Sequence, residues 1–231
     1  MIRAHHGPDQ YERLSSIVER REHETAWQSL RRILMNQDLS SLNSILDRTW
    51  GDLSKATGEP RHPYRLGQFA TVVAGRGVDV RTVVLRQVDR GKRQLRFFAD
   101  GRSEKIAEIA TDSRVAWVFY DPMLRVQLRW WGQATAVMDG AVVDDAWAGL
   151  NATQREEFTC TASPGTILGE GWDRPETPPK RLALDEARKW FCVVEVTVQR
   201  LDWLMLDAAG HMRARFELGD GAEPAASWVV P

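Results

Sequence analysis

The sequence predicts a mainly β protein with helices (α+β), in which a small closed or split β-barrel carries helices on its outside. Short runs with strand periodicity follow one another between residues 66 and 230, most of them separated by turn residues. Helical patterns are inserted between some of these runs and do not alternate with every strand, which favours antiparallel strands over a parallel sheet. Hydrophobic residues make up 43% of the 231 residues, enough for a substantial core.

The first part of the chain has a different pattern from the rest. Between residues 9 and 57, apolar residues recur at helical spacing among many charges, as at Leu42, Ile45, Leu46 and Leu53. Pro60 and its neighbours end this helical character. We therefore expect a helical N-terminal extension over residues 1–57, with a packing or dimerisation role, and a barrel domain over residues 58–231.

The order of elements in the barrel domain follows from periodicity and turn residues. The predicted strands span residues 66–74, 78–88, 94–99, 114–120, 125–138, 191–200, 201–206, 212–217 and 228–230. The predicted helices span residues 104–111 and 141–158. A long irregular loop, rich in glycine and proline, is expected over residues 159–182, and loops of this size often have a function.

Charge and cysteine content narrow the class of protein. The formal net charge of -1 gives no general attraction to nucleic acid or to an anionic membrane. No stretch approaches ~18 uninterrupted apolar residues, and the N-terminus lacks an apolar leader. Cys160 and Cys192 lack metal or redox spacing and are expected as reduced thiols, with a structural disulfide as the alternative. We expect a cytoplasmic protein that binds neither nucleic acid nor membrane.

Motifs for several enzyme classes are missing from the sequence. It has no Ser-His-Asp order in a nucleophile-elbow context, no HExxH, no Walker loop and no GxGxxG. These absences argue against a hydrolase, a zinc enzyme and a dinucleotide-binding Rossmann fold. We therefore expect no metal site.

Two strands carry arginines that a buried core would not need. In the first strand, alternation places Arg81 and Val83 on one face and Thr82, Val84 and Arg86 on the other. Both arginines would meet one ligand only if a bulge rotated one of them. In the second strand, the shared face carries Arg125, Gln127, Arg129 and Trp131, a set suited to a planar polar ligand. A charged edge strand is the alternative for the first motif.

A turn between these strands begins a helix. It delivers Ser103 to the helix N-terminus, where free backbone N–H groups and the helix dipole favour an anion, and Lys105 adds a full charge. An ordinary serine cap with a solvated lysine is the alternative. One face of a strand near the C-terminus carries His211, Arg213 and Arg215, which could contact a ligand. An exposed, charged final hairpin without a binding role is the alternative.

In this order, the segments resemble the pyridoxamine 5'-phosphate oxidase-related, FMN-binding split-barrel family. They are similar to its oxidase-like branch rather than to the true pyridoxine and pyridoxamine phosphate oxidases. The resemblance covers roughly residues 60–231. It is carried by Arg81–Arg86, Phe98-Ala99, Ser103 with Lys105, Gln127–Gly132, Arg213–Phe216 and Trp228–Pro231. It implies an FMN-binding split β-barrel, with FMN in a groove at the interface of a homodimer.

The resemblance also implies roles for single residues. Arg81, Ser103 and Lys105 would hold the FMN phosphate, and Arg215 would reach the flavin near Leu204 and Met205. The remaining FMN contacts would come from Thr82, Val83, Val84, Arg86, Phe98, Ala99 and Gln127. His211 and Arg213 would bind an unknown small-molecule substrate. Ser163 would stand near a contact that the family takes from the partner subunit.

Some positions depart from the family pattern. Glu104 stands where the true oxidases have an arginine, and Arg86 stands where they have a substrate lysine. His211 and Arg213 are the same residue types as their substrate-gripping pair, in reversed order. We therefore expect an FMN-dependent oxidoreductase with a different or unknown substrate and with no identified catalytic side chain. A non-catalytic flavin-binding sensor or storage module, or a split barrel with deazaflavin or haem, is the alternative.

Overall fold

The computed structural model describes residues 39, 41–167, 181–219 and 224–231. The chain divides into two compact units, Met1–Arg48 and Thr49–Pro231. The predicted helix between residues 9 and 57 lies outside the described residues up to residue 38 and at residue 40. The division into domains between residues 57 and 58 stays a prediction.

The described residues form five α-helices and nine strands. The helices are α1 (Leu42–Gly58), α2 (Glu104–Thr111), α3 (Ala141–Ala148), α4 (Ala152–Glu156) and α5 (Leu184–Arg188). The strands are β1 (Leu66–Val73), β2 (Gly77–Val84), β3 (Gln87–Asp89), β4 (Gln94–Asp100), β5 (Arg114–Asp121), β6 (Val126–Val137), β7 (Phe191–Met205), β8 (Met212–Glu217) and β9 (Ala225–Trp228). Among the described residues, no helix is both long and apolar enough to cross a membrane.

All strands pair in an antiparallel manner in one sheet. Its main order is β2-β1-β5-β6-β7-β4-β3, and β8 pairs with β7 and β9. Strand β7 is the centre of this arrangement because it pairs with β6 along most of its length. On its other edge it pairs first with β4 and then with β8. The predicted mainly β fold with helices is confirmed, and the sheet has the architecture of a split barrel.

A β-bulge divides β7 into two halves. Trp131 of β6 lies opposite Arg200, but the next residue, Gly132, lies opposite Val198, so Gln199 is the extra residue. A Cβ atom at Gly132 would collide with the backbone carbonyl of Thr197. The glycine therefore permits a close approach of the two backbones. The extra residue reverses the side-chain alternation of β7, with consequences for the functional site.

Aromatic side chains fill the barrel interior. Phe69 of β1, Phe97 of β4 and Trp117 of β5 are fully buried. Their ring centroids lie 4.8 Å (Phe69–Phe97) and 5.5 Å (each to Trp117) apart, in edge-to-face geometry. Such pairs stabilise beyond their area burial by about 0.5–1.5 kcal/mol each. The contact between β1 and β4, which are not neighbours in the sheet, shows that the sheet curves on itself.

Helices α3, α4 and α5 cover one part of the outer face. Phe191 and Val193 of β7 and Phe98 of β4 pack against Val143 and Ala146 of α3, Ala187 of α5, and Leu150 and Phe158, which flank α4. Phe191 is central, with ring centroids of Phe98 and Phe158 at 5.1 and 5.0 Å. These outward-facing aromatics are buried because the helices lie on them.

Four predicted elements differ from the structure. The last strand, predicted over residues 228–230, is β9 over Ala225–Trp228. The single strand predicted over residues 78–88 is two strands, β2 and β3, with a break at Leu85–Arg86. The two strands predicted over 191–206 are one bulged strand, β7. The helix predicted over 141–158 is two helices, because Asn151 begins α4 with a reciprocal capping box to Gln154.

Arg65 accounts for the break between β2 and β3. Its guanidinium Nη1 donates to the carbonyl oxygens of Leu85 (3.0 Å), Ala56 (3.2 Å) and Thr57. The N–H of Leu85 donates to the carbonyl of Arg65 at 2.9 Å. Arg65 thus caps the end of α1 and fixes Leu85, so the chain leaves β2 there. The N–H of Arg86 then donates to the carbonyl of Arg96, which begins the pairing with β4.

We predict that Gly67→Ala lowers the free energy of unfolding by about 1–3 kcal/mol, the usual scale for overpacking. A Cβ atom at Gly67 would lie 2.6 Å from Cε1 of Phe119 and even closer to the Trp117 ring. Both rings are fully buried and cannot move aside without disturbing the aromatic core. Urea unfolding of the two proteins measures the difference.

Gly51→Ala is the matched control. It lies inside α1, and a Cβ atom there has no neighbour within 4 Å among the described residues. Replacing a helical glycine with alanine should therefore raise the unfolding free energy by about 0.5–1 kcal/mol. Equal effects of the two substitutions would contradict the packing argument.

Candidate functional site

Three sequence-predicted phosphate residues meet at the start of α2. The ammonium group of Lys105 donates to Oγ of Ser103 at 3.0 Å, and this hydroxyl donates to the carbonyl of Asp100 at 2.7 Å. Burial lowers the pKa of Lys105, and the nearby positive charge of Arg81 lowers it further. We call Arg81, Ser103 and Lys105 the phosphate cradle.

The N-terminus of α2 adds further donors to the cradle. Ser103 occupies the capping position, but its side chain makes no capping hydrogen bond. Its hydroxyl is directed to Asp100 and Lys105 instead, so the predicted serine cap is formed by the backbone conformation only. The N–H of Ile106 donates to the carbonyl of Ser103, but the serine hydroxyl takes none of the first-turn N–H groups, and the donor set fits a phosphate group.

Acidic and hydroxyl groups hold Arg81 in this position. Its Nη2 donates to Glu108 at 2.9 Å and also contacts Asp79, and its Nη1 donates to Oγ1 of Thr71 at 2.5 Å. The Thr71 hydroxyl in turn donates to the same Glu108 oxygen at 2.5 Å. Glu108 and Thr71 are partners that the sequence analysis missed. The sequence indicates only one of them, because Glu108 lies one helical turn after Lys105 and so on the same side of α2.

Arg102 connects the cradle to the loop after α4. It forms a two-pronged ion pair with Asp100, at 2.6 Å for Nη2 and 2.9 Å for Nε. It also donates to the carbonyl oxygens of Cys160 (2.9 Å) and Thr161 (3.1 Å), and its guanidinium lies 5.0 Å from the Trp190 ring. The sequence analysis gave Arg102 no role, because long-range loop contacts leave no local pattern.

A cavity of about 450 Å³ lies beside the cradle. One wall is formed by Phe98, Ala99 and Asp100 of β4. The other wall is formed by Glu157, Phe158, Cys160 and residues 162–166. Two predicted FMN contacts, Phe98 and Ala99, therefore line one cavity together with Ser163 of the same chain. Apolar side chains dominate both walls, which suits a flat ring more than a charged group.

Arg86 joins this region through the break after β2. Its guanidinium lies 5.7 Å from the centre of the Phe98 ring. Strand β2 ends at Val84, so the strand alternation that would place Arg81 and Arg86 on opposite faces does not extend to Arg86. The side chain of Val83 is buried in the barrel, whereas Thr82 is exposed and Val84 half-buried. Only the backbone of Val83 is available to a ligand.

A second polar cluster lies on the outer face of β6, β7 and β8. The side chain of Asp202 is fully buried beneath Arg129, Arg213 and Arg215. Its carboxylate accepts from Nη2 of Arg129 at 3.0 Å and from Nη2 of Arg213 at 2.9 Å. The Nε atom of Arg215 lies 3.7 Å away. We call these four residues the arginine–aspartate cluster.

The bulge in β7 creates this cluster. Before the bulge, Val196 and Val198 face the barrel interior, and after it Leu201 and Trp203 do. Without the extra residue, the alternation would turn Asp202 into the apolar core. The sequence analysis missed Asp202 because residues 201–206 form a mostly apolar run, and its pairing depends on the register with β6 and β8.

The electrostatics of Asp202 follow from two opposing causes. Burial disfavours its ionised form, but hydrogen bonds from Arg213 and Arg129 prevail and lower the pKa of the carboxyl group. The same contact raises the pKa of Arg213. Among the described residues, the buried Nε atoms of Arg129 and Arg215 have no hydrogen-bond partner.

The structure separates the other predicted residues of this region. Gln127 lies on the same outer face as Arg129, in register with Leu204, and is half-buried. Nδ1 of His211 accepts the N–H of Asp207 at 3.1 Å, in the turn that precedes β8. His211 and Arg213 thus have different hydrogen-bond partners.

Both cysteines are free. Burial raises the pKa of Cys192 to about 11, so this thiol stays protonated at neutral pH and is a poor nucleophile. In the described part of the chain, no group of three or more His, Cys, Asp or Glu side chains is placed to hold a metal ion.

Comparison with known proteins identifies the class. Residues 47–138 match the family model "Pyridoxamine 5'-phosphate oxidase, FMN-binding domain". No curated protein sequence matches the chain. The matched residues include the cradle and β6, so this part of the chain is similar to an FMN-binding domain.

Two solved structures show the same fold. A pyridoxamine 5'-phosphate oxidase-related, FMN-binding protein from Nostoc punctiforme is 23% identical, with a TM-score of 0.61. The match covers 78% of this chain and 96% of that one. PhzG from Burkholderia lata, solved with tetrahydrophenazine-1-carboxylic acid, is 17% identical over 85% of this chain and 96% of that one, with a TM-score of 0.62. The resemblance to the pyridoxamine 5'-phosphate oxidase-related family is confirmed.

We predict that Asp202→Asn lowers the free energy of unfolding at neutral pH by about 2 kcal/mol, the scale of a lost charged partner. The folded-state pKa of Asp202 lies below its ordinary value. The ionised Asp202 therefore stabilises the folded state fully above the ordinary pKa of an aspartate side chain, and this stabilisation is lost as the pH falls through the lowered pKa of the folded state. The difference between the two proteins should shrink on acidification, which urea unfolding at neutral and acidic pH measures.

Asp112→Asn is the control for this prediction. Hydrogen bonds from Arg114 lower the pKa of Asp112 to about 2, but this pair lies on the surface. Solvent screens exposed pairs, so the loss of stability should be much smaller than for Asp202. A loss as large as that of Asp202→Asn would contradict the role of burial.

Proposed function

We propose that this protein is an FMN-binding flavoprotein and an FMN-dependent oxidoreductase, related to pyridoxamine 5'-phosphate oxidase but with a different substrate. The observation that carries the proposal is the phosphate cradle, where Arg81, Ser103 and Lys105 meet at an uncapped helix N-terminus. The family match over residues 47–138 supports FMN as the ligand.

The chain's own residues would divide the work of binding. The cradle would hold the phosphate, and Glu108 with Thr71 would keep Arg81 in place. Thr82, Val84 and the backbone of Val83 would line the path of the ligand along β2. When bound, FMN would supply the transfer of hydride or electrons, and the side chains named here would bind and orient it.

The contacts to the flavin ring would come from three places. Arg86, Phe98 and Ala99 would form one wall, beside the cavity that Ser163 also lines. Gln127 and Arg215 lie on the outer face of β6 and β8. We propose that FMN binds in a groove between two copies of the chain, as the resemblance implies, so that one homodimer completes two sites.

The substrate is expected to differ from pyridoxamine phosphate. Glu104 in the first turn of α2 and Arg86 after β2 replace the arginine and lysine of the true oxidases. His211 is occupied in a turn, and Arg213 is bound to Asp202. His211 and Arg213 are the same residue types as the substrate-gripping pair of the true oxidases, but they stand in reversed order and have separate partners in this chain.

The test is an absorbance scan of the purified protein through the near-ultraviolet and visible range, repeated after FMN addition and gel filtration. Two flavin bands that co-elute with the protein would support the cofactor. Reduction of the bound flavin by NAD(P)H, or its reoxidation by oxygen during turnover, would support the enzyme over a non-catalytic module. A colourless protein that retains no FMN would refute the proposal.

We predict that Arg81→Ala weakens FMN binding by about 1–3 kcal/mol, the usual scale for a lost charge-assisted hydrogen bond. Riboflavin, which lacks the phosphate, should bind the variant and the parent protein alike. Titration of each flavin, followed by quenching of its fluorescence, measures both affinities.

Arg114→Ala is the matched control for this substitution. Arg114 is an exposed arginine on β5 that pairs with Asp112. This variant should bind FMN as the parent protein does. Unchanged FMN affinity in Arg81→Ala would remove Arg81 from the phosphate site.

We also predict that FMN affinity falls at alkaline pH. Because burial and Arg81 lower the pKa of Lys105, its ammonium group loses a proton at a lower pH than a free lysine does. The positive charge that binds the phosphate is present below this pKa and is lost as the pH rises through it. Lys105→Arg keeps its charge, so its FMN affinity should stay constant over the same range in the same titration.

A further inference from the structure

Arg102 and Arg114 form the same local ion pair, each with the aspartate two residues before it. The backbone N–H and Nε donate to Oδ1 and Nη2 donates to Oδ2, at 2.8, 2.9 and 2.6 Å for Arg102 and at 3.0, 2.9 and 2.5 Å for Arg114. The Arg114 side chain is 74% exposed, whereas the Arg102 side chain is only 10% exposed. The local pair therefore does not explain why Arg102 is so well buried.

The burial of Arg102 comes from groups far away in the chain. Its Nη2 also donates to the carbonyl of Cys160 at 2.9 Å, and its Nη1 donates to the carbonyl of Thr161 at 3.1 Å. The face of the guanidinium lies 5.0 Å from the centre of the Trp190 ring. One side chain thus joins the turn before α2 to the loop after α4 and to the residue before β7.

Three consecutive carbonyl groups anchor the loop after α4. The carbonyl of Thr159 accepts the N–H of Leu182 at 2.6 Å, and the next two carbonyls accept from Arg102. We call residues 159–166 the wall loop. Arg102 holds two of these three carbonyls, so its loss would leave the wall loop attached at one of them.

The anchored residues lead directly into one wall of the cavity. Residues 162–166 line the cavity of about 450 Å³ opposite the end of β4. Within this wall, the N–H and the hydroxyl of Thr166 both donate to the carbonyl of Ser163, at 3.1 and 2.7 Å. The wall is therefore a compact turn, and its distance from β4 depends on the anchor at residues 159–161.

The donors of Arg102 are already used within the chain. A guanidinium has five N–H donors, and four of those of Arg102 are directed to Asp100, Cys160 and Thr161. At most one is left for a ligand. This favours a role in holding the wall loop over a direct contact with a phosphate group.

We propose that Arg102 is a positioning residue for the flavin ring. Its guanidinium fixes residues 160 and 161, and through them the cavity wall at residues 162–166, to the turn that begins the cradle. A wall that is fixed before binding reduces the conformational entropy lost on binding. This inference rests on the proposed function, which places the flavin ring beside the cavity, and it adds a residue that acts on the ring through the wall loop.

The first measurement needs no flavin. The backbone N–H groups of Leu182 and Thr166 donate to carbonyl groups of the wall loop, so their hydrogen exchange reports whether the loop stays in place. Exchange is followed by mass spectrometry in the full-length parent protein, Arg102→Met and Arg114→Met. We expect these amides to exchange at least about fivefold faster in Arg102→Met, because the wall loop opens more often. Arg114→Met, which removes only the local pair, should exchange as the parent protein does.

The second measurement compares two flavins. FMN and riboflavin are titrated into the same three proteins and followed by quenching of their fluorescence. Arg102→Met should weaken both flavins equally, by about tenfold, because the wall faces the ring that they share. Arg114→Met should bind both as the parent protein does. Arg81→Ala, in contrast, should weaken FMN alone.

Arg102→Lys provides a second variant that keeps the positive charge. A single ammonium group cannot form the two-pronged pair with Asp100 and reach both loop carbonyls at once. This variant should therefore show the same changes as Arg102→Met in both measurements, with a smaller size. It decides the question if Arg102→Met fails to fold, and exchange rates and flavin affinities equal to those of the parent protein would overturn the inference.

The remaining outcomes separate this inference from the proposed function. Weaker FMN binding with unchanged riboflavin binding in the Arg102 variants would place Arg102 at the phosphate and overturn the inference. Unchanged exchange of the wall loop in both variants would also overturn it. A parent protein that binds neither flavin would refute the proposed function and the flavin role of Arg102, whereas faster exchange in the variants would still show that Arg102 holds the wall.

Discussion

The pairing of β6 with β7 is the constraint on which the rest of the molecule depends. These two long strands bring together residues far apart in the chain, and the bulge opposite Gly132 sets the phase of β7. Before the bulge, the outward residues Phe191 and Val193 pack under the helical segments that cover this part of the sheet. After it, the outward residues include Asp202, which binds arginines from both neighbouring strands. One extra residue thus decides that Asp202, and not its neighbours Leu201 and Trp203, faces outward.

Most of the elements followed from the sequence because their patterns are local. The bounds of α2 and β8 agree with the prediction, since a helix start and an alternating strand are both visible within a few residues. The periodicity of the sequence gave wrong strand bounds where a contact with a distant residue determines where a strand ends or continues. Arg65 ends β2 through Leu85, and the register with β6 joins the two predicted strands of residues 191–206. Neither contact leaves a signal near the residues that it affects.

The candidate site was likewise predictable where neighbouring residues form it and not where distant residues do. Ser103 and Lys105 lie two residues apart on one turn, so their proximity follows from the sequence, and Arg81 was added through the resemblance. Glu108, Arg102 and Asp202 were missed, because each acts through side-chain contacts between separate elements. The sequence reveals groups that a ligand would touch more readily than the groups that hold them in place. A buried carboxylate in an apolar run is especially difficult to interpret before its strand neighbours are known.

The two cysteines differ in solvent exposure and in reactivity, so a thiol reagent can label one of them selectively. Cys192 is fully buried with a pKa of about 11, whereas Cys160 is partly exposed and lines the cavity beside Phe98. Thiol reagents act through the thiolate and need access, so they discriminate strongly between two such positions. The natural sequence therefore offers a single attachment point for a fluorophore or spin label, directly at the wall of the cavity and without any engineered cysteine.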